Sequence, residues 1–177
     1  FCIVGLFPFM PINKTINAQN SDIEKLFLLI NERLSYMEYV ALFKERSNSP
    51  TEDKEREAVV LMDAVESANE LGLLGPSVES FFRAQISIAK AIQYRYRADW
   101  QSDSPSSVPL DLQEIIRPKL SQIGSAIVHK MAALYRNGGQ ISEEHRDLFH
   151  QSIEVDNISQ QDRTKLFNSL LLVETQK

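Results

Sequence analysis

The sequence predicts an all-α fold. Three observations carry that expectation: apolar residues recur at a 3.6-residue period in several long segments, no segment alternates with period two, and helix-start signals head the periodic stretches. A chain of 177 residues with 43% apolar and 24% charged residues has enough apolar surface for one domain with a sizeable core. The formal net charge of −5 and the lack of a basic tract argue against a nucleic-acid surface.

The elements follow in order. Ser21-Asp22-Ile23-Glu24 has the form of a capping box, and apolar residues then fall at 23, 26, 27, 30, 34, 37 and 41, which predicts a first long helix to about Ser47. Asn48-Ser49-Pro50 breaks the pattern. Thr51-Glu52-Asp53 opens a second helix with acids in its first turn, ending at Gly72, and Gly75-Pro76-Ser77 leads into a third over about 78–100. The composition of QSDSPSSVPLD marks a loop. A fourth helix is expected from Asp111, kinked near its start by Pro118 and ended by Asn137-Gly138-Gly139. Two short helices are expected after Ser142 and Ser159, and whether they form a subdomain or pad the bundle is open at this level.

Residues Phe1–Met10, FCIVGLFPFM, are apolar but too few to span a bilayer. They look like the hydrophobic stretch of a secretory signal without its initiating Met and basic start. Residues 1–18 are therefore expected to be a truncated signal peptide, and 19–177 a single domain that is periplasmic or secreted. A hydrophobic N-terminus docked on the core is the competing reading. Cys2 lies in this run and is the only cysteine, so the mature domain would carry no disulfide. Asn13-Lys14-Thr15 and Asn157-Ile158-Ser159 match a glycosylation sequon that has meaning only on a eukaryotic secretory route.

Polar residues interrupt the apolar stripes at particular places. Arg33 and Lys44 are eleven residues apart, which on a helix brings them to within ~20° of one direction and ~16 Å apart along the axis. Lys44 continues the seven-step series Ile23, Ile30, Met37, a core position. Arg56 is in line with Val60 and Ala64, and Asp53 lies one turn before it. Gln85 and Gln93 interrupt the third stripe. Cations on core-facing stripes are costly unless something neutralises them, so an anionic ligand in a cation-rich pocket accounts for the set. Simpler readings compete: Arg33 snorkelling to solvent, Lys44 capping a helix end, Arg56 pairing with Asp53, and Gln93 as a satisfied core amide. His129, His145 and His150 form no metal-ligand spacing, and no Gly-rich phosphate loop or nucleophile elbow is present.

The segments NERLSYMEYVALFKERSNSPTEDKEREAVV and VESFFRAQISIAKAIQYRYRADW resemble the AroQ-type chorismate mutases, specifically their exported gamma subclass. The motif is an Arg, a Lys eleven on, an Asp nine further, an Arg three further, then Glu, with a Gln on the next helix. The resemblance covers roughly Ser21 to Trp100, with weaker agreement at RPKLSQIG. The resemblance implies a six-helix bundle of three long helices, a kinked fourth and two short ones, and conversion of chorismate to prephenate without cofactor or metal. It assigns catalytic roles to Lys44 and Gln93, and substrate binding to Arg33, Asp53, Arg56, Glu57 and Arg117. It further implies a homodimer, each active site built within one chain, with neither a nucleic acid nor a membrane as partner of the mature form. Val60 and Ala89 replace polar residues found in relatives, which bears on affinity, and the disulfide of some exported members is missing. An isochorismate pyruvate-lyase shares the fold and much of the cation set and is the nearest alternative. A non-catalytic secreted helical binding module is a more distant one.

Overall fold

A computed structural model describes residues 12–105 and 107–177. It is all-helical: α1 (Ile12–Ser35), α2 (Met37–Arg46), α3 (Lys54–Glu70), α4 (Gly75–Asp99), α5 (Arg117–Arg136), α6 (Arg146–Ser152) and α7 (Gln160–Leu171). A π-helical turn, Leu112–Ile116, precedes α5 and a 3-10 turn, Glu143–His145, precedes α6. Among the described residues the sole β feature is an isolated antiparallel bridge between Leu73 and Thr175. No described helix is long and apolar enough to cross a membrane. Phe1–Met10, and Cys2 with them, lie outside the described residues.

The expected first helix is divided at Tyr36 into α1 and α2, which together serve as one bent helix and leave six helices in the bundle. The Ser35 hydroxyl donates to the Glu32 carbonyl at 2.7 Å, a local back-bond of the kind that bends helices. The start differs as well. Ser21 to Glu24 lie inside α1 rather than at its N-terminus, so the capping-box pattern does not cap. The apolar period is nonetheless used as read: Ile23, Leu26, Phe27, Ile30, Leu34, Met37 and Ala41 are all buried.

Asp53 caps α3, its Oδ1 accepting from the Arg56 backbone N–H at 3.0 Å. Gly72, at φ +83°, ends that helix in the left-handed region where a side chain would be strained. Helix α4 begins at Gly75, three residues before the expected start, because Pro76 has no N–H to lose in a first turn. The kink expected from Pro118 takes a definite form: the backbone widens into the π-turn, with Ile116 N–H donating to the Asp111 carbonyl at 3.0 Å, and Pro118 then occupies the first turn of α5.

The short helices pad the bundle. Phe149 of α6 meets Phe27 of α1 edge-on, centroids 5.0 Å apart, and Phe167 of α7 at 5.2 Å, which joins both helices to the main core. Capping boxes open the 3-10 turn before α6, Ser142 with His145, and α7, Ser159 with Asp162. The C-terminal strand of residues then returns to the α3–α4 corner, where Leu74 N–H donates to the Glu174 carbonyl at 2.8 Å.

Candidate active site

Helices α3 and α5 wall a cavity of about 380 Å³, over a floor of α1, α2 and α4. Each helix lends it one stripe at helical spacing: Asp53, Arg56, Glu57, Val60 and Ala64 from the head of α3 onward, Arg117, Leu120, Ser121 and Gly124 from α5, Ala89, Lys90 and Gln93 from α4, and Arg33, Met37, Val40 and Lys44 from α1 and α2. All seven residues to which the family resemblance assigns a role line this space. The wall carries five cations, Arg33, Lys44, Arg56, Lys90 and Arg117, against three carboxylates, Asp53, Glu57 and Asp63.

Two of the carboxylates are already engaged. Asp53 Oδ2 accepts from Arg117 Nη2 at 2.5 Å, and Glu57 pairs with Lys90 Nζ at 3.1 Å. Among the described residues, Arg33, Lys44 and Arg56 have no carboxylate in salt-bridge contact. Arg56 Nη2 instead donates to the Ser121 hydroxyl at 2.7 Å. Arg33 is 5% exposed, its Nε and Nη1 are buried without a partner, and its guanidinium carbon lies 5.9 Å from the Phe82 ring centroid. Burial, reinforced by the like charge of Arg56, pushes the Arg33 pKa down to about 10. Lys44 is 7% exposed and donates to the Thr51 carbonyl at 2.5 Å. Burial holds its ammonium below the usual lysine range, with Asp53 opposing and Arg117 adding to the shift.

Gln93 is buried, with Nε2 donating to the Ala89 carbonyl at 3.2 Å and reaching the Met37 sulfur at 3.5 Å, and with Oε1 unpartnered. The contact to sulfur is weak, so one amide N–H is readily surrendered to a better acceptor. Arg117 also donates from Nη1 to Gln113 at 3.0 Å, an anchor on the π-turn.

The simpler readings of the cations fail at particular atoms. Arg33 does not snorkel, because its head group is enclosed. Lys44 does not cap its own helix, because Thr51 lies beyond the end of α2. The Arg56 guanidinium does not pair with Asp53, whose two oxygens take the Arg56 backbone N–H and Arg117. Gln85 corrects the sequence reading: it is fully buried, both its amide atoms lack a partner, and it is absent from the cavity wall. Eight residues of helix rotate it by ~80° from Gln93, so it follows the core line of Val78 and Ile92. Lys90, Ser121 and Thr51 were missed. Ser121 lies one turn after Arg117 and shares its face, a usable signal, whereas Thr51 contributes a main-chain carbonyl that no side-chain pattern records.

Residues 21–94 match the sequence model of the family chorismate mutase type II. A monofunctional chorismate mutase of Enterobacter agglomerans is 35% identical over 148 residues, spanning 83% of this chain and 81% of that one. The chain belongs to the type II chorismate mutase family. Among other chorismate mutases, a secreted one of Yersinia pestis is 44% identical over 105 residues, 59% of this chain and 56% of its own length. The crystal structure of secreted chorismate mutase from that organism superposes with a TM-score of 0.79 at 33% identity, covering 86% of this chain and 98% of the other. A chorismate mutase from Burkholderia phymatum gives 0.71 at 26% identity, over 86% and 95%. The chorismate mutase match to residues 21–94 spans α3 and ends inside α4, so it includes Arg33, Lys44, Asp53, Arg56, Glu57 and Gln93 but stops short of Arg117.

Proposed function

We propose that this chain catalyses the rearrangement of chorismate to prephenate in the cavity between α3 and α5. The observation that carries the reading is the charge balance of the wall: five cations face three carboxylates, and the excess of two matches a dianion. In this reaction the ring C–O bond of the enolpyruvyl ether breaks as a new C–C bond forms, and the ether oxygen becomes the ketone oxygen of the product. No nucleophile or proton transfer is needed. A protein accelerates such a step by holding the flexible dianion in its compact chair-like form and by aiming donors at the oxygen that gains charge.

Arg33, Arg56 and Arg117 take the two carboxylates, their planar forks suiting bidentate contact. Lys44 and Gln93 serve the ether oxygen. The Lys44 ammonium has three donors and spends one on Thr51, leaving two. Glu57 and the backbone near Asp53 accept from the ring hydroxyl. Val60 and Ala89 add apolar surface to the cavity wall, lowering affinity more than rate. All of these groups come from one chain, which supports an active site built within a single subunit of a homodimer. Export to the periplasm or medium, with residues 1–18 as a signal segment and 19–177 as the enzyme, is supported by the apolar run Phe1–Met10 and by the secreted Yersinia relative.

The test is incubation of purified protein with chorismate and, separately, with isochorismate. Loss of chorismate absorbance with prephenate as product is expected, and no pyruvate from isochorismate. Release of pyruvate and salicylate would assign the lyase instead, and inertness toward both substrates would leave a binding module.

The pH profile carries its own signature. Gln93 needs no proton to donate, so kcat is expected to stay flat between about pH 5 and 8, unlike that of an enzyme that must keep a glutamic acid protonated there. On the alkaline side the sign follows from burial. The lowered Lys44 value means that its charge is lost at lower pH than for a solvated lysine, so kcat/KM declines as pH rises through it, and Arg33 near 10 extends the same limb. Bound dianion favours both charged forms, so the limb for kcat lies at higher pH than that for kcat/KM. Coincident alkaline limbs, or an acid optimum, contradict the assignment.

A further inference from the structure

Arg97 lies outside the cavity wall, one helical turn beyond Gln93 on α4, and its guanidinium gathers three groups from the segment that carries Lys44. Nε donates to Glu45 at 2.5 Å, and Nη1 is directed to the Thr51 hydroxyl at 3.1 Å and the Ser49 carbonyl at 3.4 Å. Glu45 is the neighbour of Lys44, and Thr51 is the residue whose carbonyl receives the Lys44 ammonium. The backbone between them turns through Asn48 at φ +51°, and Ser49 N–H donates to the Lys44 carbonyl at 2.8 Å. Without a fixed Thr51 carbonyl, a long lysine side chain in a roomy cavity has several rotamers to choose from.

We propose that Arg97 is a positioning residue for Lys44: by clamping Glu45, Ser49 and Thr51 to α4 it fixes the carbonyl that aims the ammonium into the cavity. The inference rests on the reading of Lys44 as the donor to the ether oxygen. A fork geometry is essential to it, since the compact ammonium of a lysine does not reproduce the spread of Nε toward Glu45 and Nη1 toward Ser49 and Thr51.

The experiment measures kcat, KM and melting temperature for Arg97→Ala, Arg97→Lys, Lys44→Ala and the double variant Arg97→Ala/Lys44→Ala, at enzyme concentrations that keep the slowest above the uncatalysed rate. Misplacement of one reacting group costs on the order of 10-fold to 10²-fold. Arg97→Ala is therefore expected to lower kcat by about that factor with KM changed far less, Arg97→Lys to remain impaired although it keeps the Glu45 pair, and the double variant to be no slower than Lys44→Ala. An additive loss in the double variant overturns the proposal, because Arg97 then acts on something other than Lys44; so does an unchanged kcat in Arg97→Ala. Normal turnover in Lys44→Ala overturns the reading of Lys44 itself, a separate failure. Should Arg97→Ala not fold, Thr51→Val deletes only the hydroxyl acceptor, and it must lower kcat in the wild-type background and not in Lys44→Ala.

Discussion

Replacing Lys44 with alanine is expected to reduce kcat by roughly 10²-fold or more while KM changes little, the loss typical of a donor that meets charge developed only in the transition state. Lys44 is 7% exposed and its ammonium donates to the Thr51 carbonyl, so the donor is already oriented before substrate enters. Steady-state kinetics on a variant with an unaltered helical spectrum checks this. Near-normal turnover would remove Lys44 from the breaking bond. A rise in KM alone would make it a binding group.

Arg33 should show the opposite balance of effects. Its guanidinium is enclosed with two nitrogens unpartnered, an arrangement that burdens the free protein and that an incoming carboxylate relieves. Arg33→Lys keeps the charge but loses the two-point contact, and a loss of about 10-fold or more in kcat/KM is expected from the worth of a charge-assisted hydrogen bond. Arg33→Met, of similar length and without a charge to desolvate, is expected to melt at higher temperature than the wild type while losing activity. A lower melting point would mean that Arg33 supports the fold rather than the substrate. On the proposal that each active site is built within one chain, mixing Arg33→Ala with Arg117→Ala subunits should restore nothing. Recovery on mixing would show a site shared between subunits.

Much of this was legible in the sequence because the informative residues sit on helices, where spacing maps directly onto direction. Arg33 and Lys44 shared a face by arithmetic alone, and the bend at Tyr36 did not separate them from the cavity. The Gly72 stop was visible as a local consequence of side-chain chemistry, whereas Asp53, expected among the acids of the first turn, lies just before that turn and caps it. What escaped depended on tertiary context. The Ser21 capping box was overridden because the helix continued through it. Gln85 was grouped with Gln93 because both interrupt one stripe, although their directions differ enough to put one in the core and the other at the cavity. Lys90 is a solvated helix position by pattern and becomes part of the wall only because Glu57, thirty-three residues earlier, lies opposite it. The Thr51 carbonyl, and the Ser49 and Thr51 groups that Arg97 of α4 contacts, belong to a loop, where periodicity has nothing to say.

On this reading an unbalanced set of cations recognises a dianion and stabilises its rearrangement. Calorimetric titration with a stable bicyclic dicarboxylate shaped like the chair-like transition state, set beside its monomethyl ester, shows whether both charges are recognised. The account predicts one tight site per chain for the dicarboxylate and affinity weaker by at least about 10-fold for the ester, which leaves one buried guanidinium without its carboxylate. Equal affinity for the two, or no binding of the dicarboxylate to a folded protein, would contradict it.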